Sequence, residues 1–444
     1  MYSSTLAASL RIGAKVLHLR QGRPGVQPRA ASKLSDVARF QRPTTGEEQR
    51  ASNLELFFDL VFVFAVTQVS HLLLDELNWR GAARATLALL VVWWAWNYTA
   101  WATNELDPES NPVKVLMLAI MLLSLLLAVA IPDAFGSRAW LFAGSYVAIQ
   151  VGRMAFLTFV SGEAGSVERD RSGRILTWFV ASGALWLAGA ATGGTGLGLM
   201  WTAALGLEYV APRVLYWVPW RPPIAASAWS VETAHFTERF QLFMLIALGE
   251  SIVATGATTA QLELTTARVV AFGLAFLMTA AFWWLYFNLA ARIAARRLEL
   301  AENRTELARD AYTYTHVVLV AGVIVSAVGD ALVIARPLDT LPAREVIAVA
   351  AGPAVYLLGH VLFRRVMTGS YSVRRLAGAA GCGAVAVVGL FIPAIWLSAL
   401  LVAVLAGVIT SEELAGARRR TRGEQSPLER LEASAVTDAA STDG

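Results

Sequence analysis

Two carboxylates stand four residues apart at the start of an apolar run, LELFFDLVFVFAVTQVSHLLL, which covers residues 54–74. They are Glu55 and Asp59. An ionised acid in the middle of a membrane helix costs about 2.5–3.5 kcal/mol on insertion scales, so it tends to face a partner or water. Glu55 could serve as an acid in the first helical turn, where it would interact with the helix dipole. Asp59 lies about 6 Å further along and needs an internal partner, either as a structural ion pair or as part of an ion pathway.

Candidate partners for Asp59 are three arginines that the sequence places toward the same side of the membrane: Arg153, Arg239 and Arg364. The helix face that carries Glu55 and Asp59 continues through three apolar residues, Phe62, Val66 and Val69.

A second acidic stretch, HFTERFQLFMLIALGESIVATG, carries Glu238 and Arg239 at its start and Glu250 twelve residues later. At 1.5 Å per residue, Glu250 lies about 18 Å deeper along the helix. Glu208, in WTAALGLEYVAP, is a third intramembrane acid. Each of these deep acids is interpreted either as a pathway group or as a buried structural hydrogen-bond partner.

The composition indicates a membrane protein, because 56% of the 444 residues are hydrophobic and only 16% are charged. Soluble domains are nearer a quarter charged. The sequence predicts an all-α polytopic membrane protein, since apolar runs close to the ~20 residues that cross a bilayer recur throughout. About twelve spans are predicted: 54–74, 84–103, 112–131, 139–160, 175–191, 197–217, 238–256, 268–290, 311–335, 345–363, 375–391 and 394–410.

The basic residues predict the orientation. If the N-terminus is cytoplasmic, thirty of the 37 lysines and arginines fall on the cytoplasmic side and six in the opposite loops, as the positive-inside rule expects. Both termini are therefore predicted to be cytoplasmic. The basic charge is interpreted as a sign of this orientation rather than of a nucleic-acid partner.

The sequence contains no motif for a disulfide, a metal site, a cofactor or a common type of enzyme active site. The single cysteine, Cys382, allows no internal disulfide and no thiolate cluster. The membrane histidines lie on separate predicted helices without an HxxxH or HxH pair, so no metal site is predicted. No phosphate-binding loop, nucleophile elbow or dinucleotide fingerprint is present, so no enzyme activity and no cofactor are predicted.

Internal similarity predicts two parallel six-helix repeats, related by an axis along the membrane normal. Five matches occur in the same order in both halves: Glu55 with Glu238, Trp93–Trp94 with Trp283–Trp284, Asp133 with Asp330, Tyr146 with Tyr356, and Arg174 with Arg375. The predicted domains are a basic, disordered tail at 1–50, repeats at 51–222 and 223–413, and a disordered tail at 414–444. For the first tail, a start codon placed too early or a transit peptide are alternatives.

The stretches ELFFDLVFVFAVTQVSHLL and ERFQLFMLIALGESIVATG resemble the low-temperature-requirement A (LtrA) family of bacterial membrane proteins, over residues 50–415. The resemblance implies a multipass protein of the bacterial inner membrane, linked to growth in the cold. It implies no particular biochemical activity.

A more distant resemblance links FFDLVFVFA, residues 57–65, to the opening helix of potassium channels built from six-helix repeats. It implies that Asp59 holds the cytoplasmic end of this helix in a polar network. It also implies that Phe62, Val66 or Val69 forms a constriction. This sequence departs from the channel motif at Phe58 and at Leu242, where a serine and a second aspartate are expected.

Three functions remain open on these grounds. The first is an ion pathway between the two repeats, for monovalent cations or protons. The second is a proton-coupled transporter of a small solute that uses Asp59, Glu208 and Glu250. The third is a non-transporting sensor or stabilising subunit, and a homo-oligomer is compatible with all three.

Overall fold

The computed structural model describes residues 40, 50–224, 229 and 231–442, and the regular structure of this part of the chain is helical, most of it α-helical. The predicted all-α fold class is confirmed. The fifteen α-helices of the described residues, numbered α1 to α15, are α1 (Asn53–Asp75), α2 (Trp79–Glu105), α3 (Asn111–Ala130), α4 (Ala139–Phe156), α5 (Val167–Thr192), α6 (Gly194–Val210), α7 (Thr233–Ala260), α8 (Thr266–Phe287), α9 (Ala290–Leu300), α10 (Arg304–Leu307), α11 (Tyr314–Ala335), α12 (Ala343–Thr368), α13 (Val373–Gly389), α14 (Ala394–Thr421) and α15 (Pro427–Thr442).

Nine helical segments of the described chain are long and apolar enough to cross a bilayer, which confirms a multipass membrane protein. Their outer faces carry large apolar side chains, as expected of surfaces that contact lipid. On α3, for example, Val115, Leu118, Leu122 and Leu125 recur every three or four residues and are all exposed.

Three of the predicted spans coincide with helices outside these nine. Helices α6 and α13 have 17 residues each. At 1.5 Å per residue they reach about 26 Å, slightly less than the ~30 Å hydrocarbon core. Helix α2 has 27 residues but buries the polar side chains of Asn97, Thr103 and Asn104. The count of twelve spans therefore stays a prediction.

The helices of the two halves pack in a similar order. In the first half, α1 contacts α2 and α3, and then α3 contacts α4, α4 contacts α5 and α5 contacts α6. In the second half, α7 contacts α8 and α11, and the series continues through α11–α12, α12–α13 and α13–α14. The halves meet where α1 packs against α7 and α11. The arrangement as two rotated repeats remains a prediction.

Helix α1 begins at a capping box formed by Ser52 and Glu55. The Glu55 backbone N–H donates to Ser52 Oγ at 3.3 Å, and the Ser52 backbone N–H donates to Glu55 Oε2 at 2.9 Å. Such reciprocal bonds satisfy two backbone donors that a helix start otherwise leaves unpaired. The helix start therefore fixes the position of Glu55.

Two π-helical segments interrupt the regular helices. Residues Leu157–Ser161 end α4, and residues Ala308–Thr313 join α10 to α11. Single π-helical turns are frequent at functional sites, because they change the direction of neighbouring side chains.

Two helical segments occupy the C-terminal region, and the predicted disorder of residues 414–444 stays a prediction. Helix α14 continues to Thr421, and residues Pro427–Thr442 form α15. The start of α15 is capped by Ser426, whose Oγ accepts the Glu429 backbone N–H at 3.2 Å, while the Ser426 backbone N–H donates to Glu429 Oε2 at 2.7 Å. The sequence SPLE matches this capping pattern. The predicted N-terminal tail lies outside the described residues, apart from Phe40 and Arg50.

Candidate functional site

The two acids of α1 contact two basic residues of α7. Arg239 Nη1 lies 2.9 Å from Glu55 Oε1, and Arg239 Nη2 lies 2.6 Å from Asp59 Oδ1. His235 Nε2 lies 2.9 Å from Glu55 Oε1. All four side chains are fully buried. Of the three arginines considered as partners for Asp59, Arg239 is the one that contacts it.

Helix α2 supplies further polar contacts of this cluster. The Trp96 indole donates to Asp59 Oδ1 at 2.8 Å, and Arg239 Nη1 donates to Thr103 Oγ1 at 3.3 Å. The Arg239 guanidinium also lies 5.8 Å from the centre of the Phe58 ring. The acids and their partners therefore have fixed geometry, because three helices hold them.

The bonds of Asn104 determine the tautomer of His235. Asn104 Oδ1 accepts the Glu232 backbone N–H at 2.8 Å, and Asn104 Nδ2 donates to the Glu232 carbonyl at 3.0 Å. Nδ2 lies 3.1 Å from His235 Nδ1. Since an amide nitrogen only donates, His235 Nδ1 accepts, and its Nε2–H donates to Glu55. His235 is therefore a neutral imidazole here.

Glu55 and Asp59 both contact the Arg239 guanidinium. Asp59 Oδ2 has no hydrogen-bond partner among the residues that the structure describes. Burying an unpaired anionic oxygen is costly, and a proton, a cation or water at this position would remove that cost. Asp59 is therefore the acid of this pair with an oxygen left to bind such a species.

A second contact between α1 and α7 lies further along both helices. The Thr67 hydroxyl donates to Glu250 Oε1 and also lies 3.0 Å from the Val63 carbonyl. Glu250 is 7% exposed. A set of polar residues joins these two helices, and we call this set the α1–α7 seam. Its members are Glu55, Asp59, Thr67, His235, Arg239 and Glu250.

The candidate constriction residues lie between helices rather than on a surface. Phe62, Val66 and Val69 are 1%, 3% and 1% exposed. The Phe58 and Phe62 rings pack at 4.9 Å between centroids. Apolar packing therefore separates Asp59 from Glu250 in this conformation, and the constriction stays a prediction.

Glu208 belongs to a separate buried cluster. It accepts hydrogen bonds from the Tyr146 hydroxyl, from Ser182 Oγ at 2.7 Å and from Trp186 Nε1 at 2.9 Å. Gln150 Nε2 donates to the Tyr146 hydroxyl at 3.0 Å. All these residues are on α4, α5 and α6, so the structure does not bring Glu208 to the seam.

Glu238 lies near the start of the seam and is only partly buried. Its Oε2 accepts the backbone N–H of Ala51 at 2.8 Å. This bond ties the chain that precedes α1 to the first turns of α7.

A cavity of about 130 Å³ lies at the same end of the molecule as Glu55. It is formed by the ends of α2 and α4, the start of α5, the segment after α6, Trp229, and the residues before α11. Nothing in the sequence indicated it. Among the described residues, no group of three histidine, cysteine, aspartate or glutamate side chains is placed to hold a metal ion.

The family comparison agrees with the resemblance of the two acidic stretches. Residues 50–410 match the model of the bacterial low temperature requirement A protein (LtrA). An uncharacterized protein of Rhizobium meliloti is 33% identical over 341 residues, which cover 76% of this chain and 83% of the relative. No solved structure matches the chain. The resemblance to potassium channels is not supported by these comparisons. Because the family model covers most of the sequence, the chain belongs to the bacterial low temperature requirement A (LtrA) family.

Proposed function

We propose that this protein forms a gated pathway for protons or monovalent cations along the α1–α7 seam. The observation that carries the proposal is the unpartnered Oδ2 of Asp59, a fully buried carboxylate whose other oxygen pairs with Arg239. Intramembrane acids of this kind are costly to bury and commonly mark ion or proton pathways.

Glu250 would be the second position on this pathway. Eight residues separate Asp59 from Thr67, the partner of Glu250, which corresponds to about 12 Å along α1. Phe62 and Val66 fill the interval. Passage between the two acids therefore requires these apolar side chains to separate, which is why the pathway is proposed to be gated.

The proposed setting is the bacterial inner membrane, with both termini in the cytoplasm. The bias of basic residues toward one side supports this orientation. It would place Asp59 near the cytoplasmic face and Glu250 nearer the opposite one. A role in growth at low temperature, named in the family description, is part of the proposal and rests on the family alone.

The first test is flux through the purified protein in liposomes. With a potassium gradient imposed, and a proton-sensitive dye inside the vesicles, we expect cation or proton movement above that of protein-free vesicles. Flux equal to that of protein-free vesicles would remove the pathway and leave the proton-coupled transporter and the sensor or stabilising subunit.

A proton-coupled transporter of a small solute is the second candidate. The cavity near the Glu55 end favours it, because residues from both halves of the chain line this cavity. The two candidates differ in kinetics. A transporter gives solute uptake that saturates and depends on a proton gradient, whereas an ion pathway passes ions without added solute.

A further inference from the structure

The cavity beside α2 has the features of a binding site. We propose that it binds a neutral, planar ring molecule that carries hydrogen-bond acceptors, such as ring carbonyl oxygens. The inference does not depend on the ion pathway, since none of the seam residues lines the cavity.

The backbone around the cavity is irregular at several points. Leu157 and Ser161 belong to one π-helical segment and Arg309 to the other, and all three line the cavity. Leu215 and Tyr216, which also line it, both have φ of 51°. Non-glycine residues in the left-handed region are uncommon and cluster at ligand sites, where the surrounding structure holds the strain.

Aromatic rings form much of the wall. Trp229 stacks on Tyr216 with ring centroids 5.4 Å apart, and Tyr98 packs against Trp94 at 5.2 Å. A cavity of 150 Å³ holds a benzene molecule. A volume of about 130 Å³ that opens outward therefore suits one ring, or part of a two-ring system. Flat rings favour a flat occupant, because stacked and edge contacts add to the buried apolar area.

Unused hydrogen-bond donors lie beside this wall. The indole N–H groups of Trp94 and Trp229 are buried and have no partner in the described part of the chain. The hydroxyls of Tyr98 and Tyr216 bond to each other, which uses only one of their two hydrogens. Trp101 differs, because its indole donates to Thr313 Oγ1 at 3.1 Å. An occupant with acceptor atoms would satisfy the unused hydroxyl hydrogen, and also the indole N–H groups once these two covered nitrogens rotate toward it.

The charges at the cavity favour a neutral occupant. Arg171 pairs with Glu105, and Arg309 Nε lies 2.8 Å from Asp310 Oδ1, so both guanidinium groups have carboxylate partners. Glu168 and Glu306 are exposed lining residues, and their charges repel anions. Because the charges of both guanidinium groups are compensated, the interior of the cavity carries no net charge that would favour an ion over a neutral molecule.

The test uses two neutral ring molecules and one control molecule. 1,3-Dimethyluracil is soluble in water, whereas duroquinone partitions into the membrane, so the two compounds represent the two sources of a ligand. Each compound carries two ring carbonyls. The ring of m-xylene has the same size and no acceptor. Calorimetric titration of the full-length protein in lipid nanodiscs, with empty nanodiscs as blank, should show at least one carbonyl compound binding about tenfold tighter than m-xylene. The preferred compound indicates the source of the natural ligand.

Tryptophan-to-phenylalanine variants test the donors, because they keep a ring and remove the N–H. Trp229→Phe or Trp94→Phe should weaken binding about 2- to 10-fold, the effect of one net hydrogen bond. Trp283→Phe, at an exposed tryptophan away from the cavity, should leave it unchanged. Because Trp94 and Trp229 can be replaced separately, the test remains possible if one of the two variants fails to fold. The inference is overturned if neither carbonyl compound binds better than m-xylene, or if both cavity variants bind as the wild type does.

Discussion

Replacing Arg239 with methionine is expected to lower the free energy of unfolding by about 3–5 kcal/mol, the typical cost of breaking a buried ion pair. The long apolar side chain fills a similar space but leaves Glu55 and Asp59 buried without their guanidinium. Chemical unfolding in detergent, followed by tryptophan fluorescence, measures the change.

The matched control is Arg296→Met on α9. Arg296 pairs with Glu299 at 3.0 Å, but both side chains are more than a third exposed, so the loss should be at most about 1 kcal/mol. Adding Glu55→Gln and Asp59→Asn to Arg239→Met should restore much of the stability, because no buried charge then remains unpaired. An Arg239→Met variant as stable as Arg296→Met would contradict the account of this cluster.

Neutralising Asp59 or Glu250 is expected to reduce flux about tenfold or more, which corresponds to a barrier higher by only about 1.4 kcal/mol. Asp59→Asn keeps an acceptor for Trp96 and Arg239 but removes the carboxylate that would hold the permeating ion. Glu250→Gln likewise keeps an acceptor for Thr67. Initial rates in liposomes, divided by the amount of folded protein, give the comparison.

Glu208→Gln is the control for this experiment. Glu208 is a buried acid with the same chemistry, but it lies on α6 and bonds to Tyr146, Ser182 and Trp186. Its neutralisation should lower stability while the flux per folded protein stays within about twofold of the wild type. Equal losses in all three variants would show that flux reports the fold in general rather than the seam.

The sequence predicts much of the seam because its charges are rare and regularly spaced. Asp59 cannot remain alone in an apolar helix, and Arg239 was among the three arginines available to it. The involvement of His235 was missed, although a signal was present. Glu55 and Asp59 are four residues apart on α1, and His235 and Arg239 have the same spacing on α7. An acidic pair and a basic pair at one helical turn are complementary when the helices pack side by side.

The cavity could not be predicted, for physical reasons. Its wall is assembled from segments far apart in the chain, and two of them are π-helical, whereas helical periodicity assumes 3.6 residues per turn. Whether an indole N–H finds a partner depends on such packing: Trp93 donates to the Thr313 carbonyl at 2.8 Å, while the neighbouring Trp94 has no partner in the described residues. Trp93 and Trp94 are neighbours of the same residue type, so the sequence alone does not distinguish the paired indole from the unpaired one.

The most direct test of the pathway is the accessibility of its middle. Cys382 is the only cysteine, so Cys382→Ala provides a background in which a single thiol can be placed at Val66. Under conditions that give flux, a membrane-impermeant, positively charged thiosulfonate reagent should modify Val66→Cys and block the flux, while lipid-facing Leu122→Cys does not react. If Val66→Cys stays unmodified while ions pass at the normal rate, the pathway does not follow the α1–α7 seam.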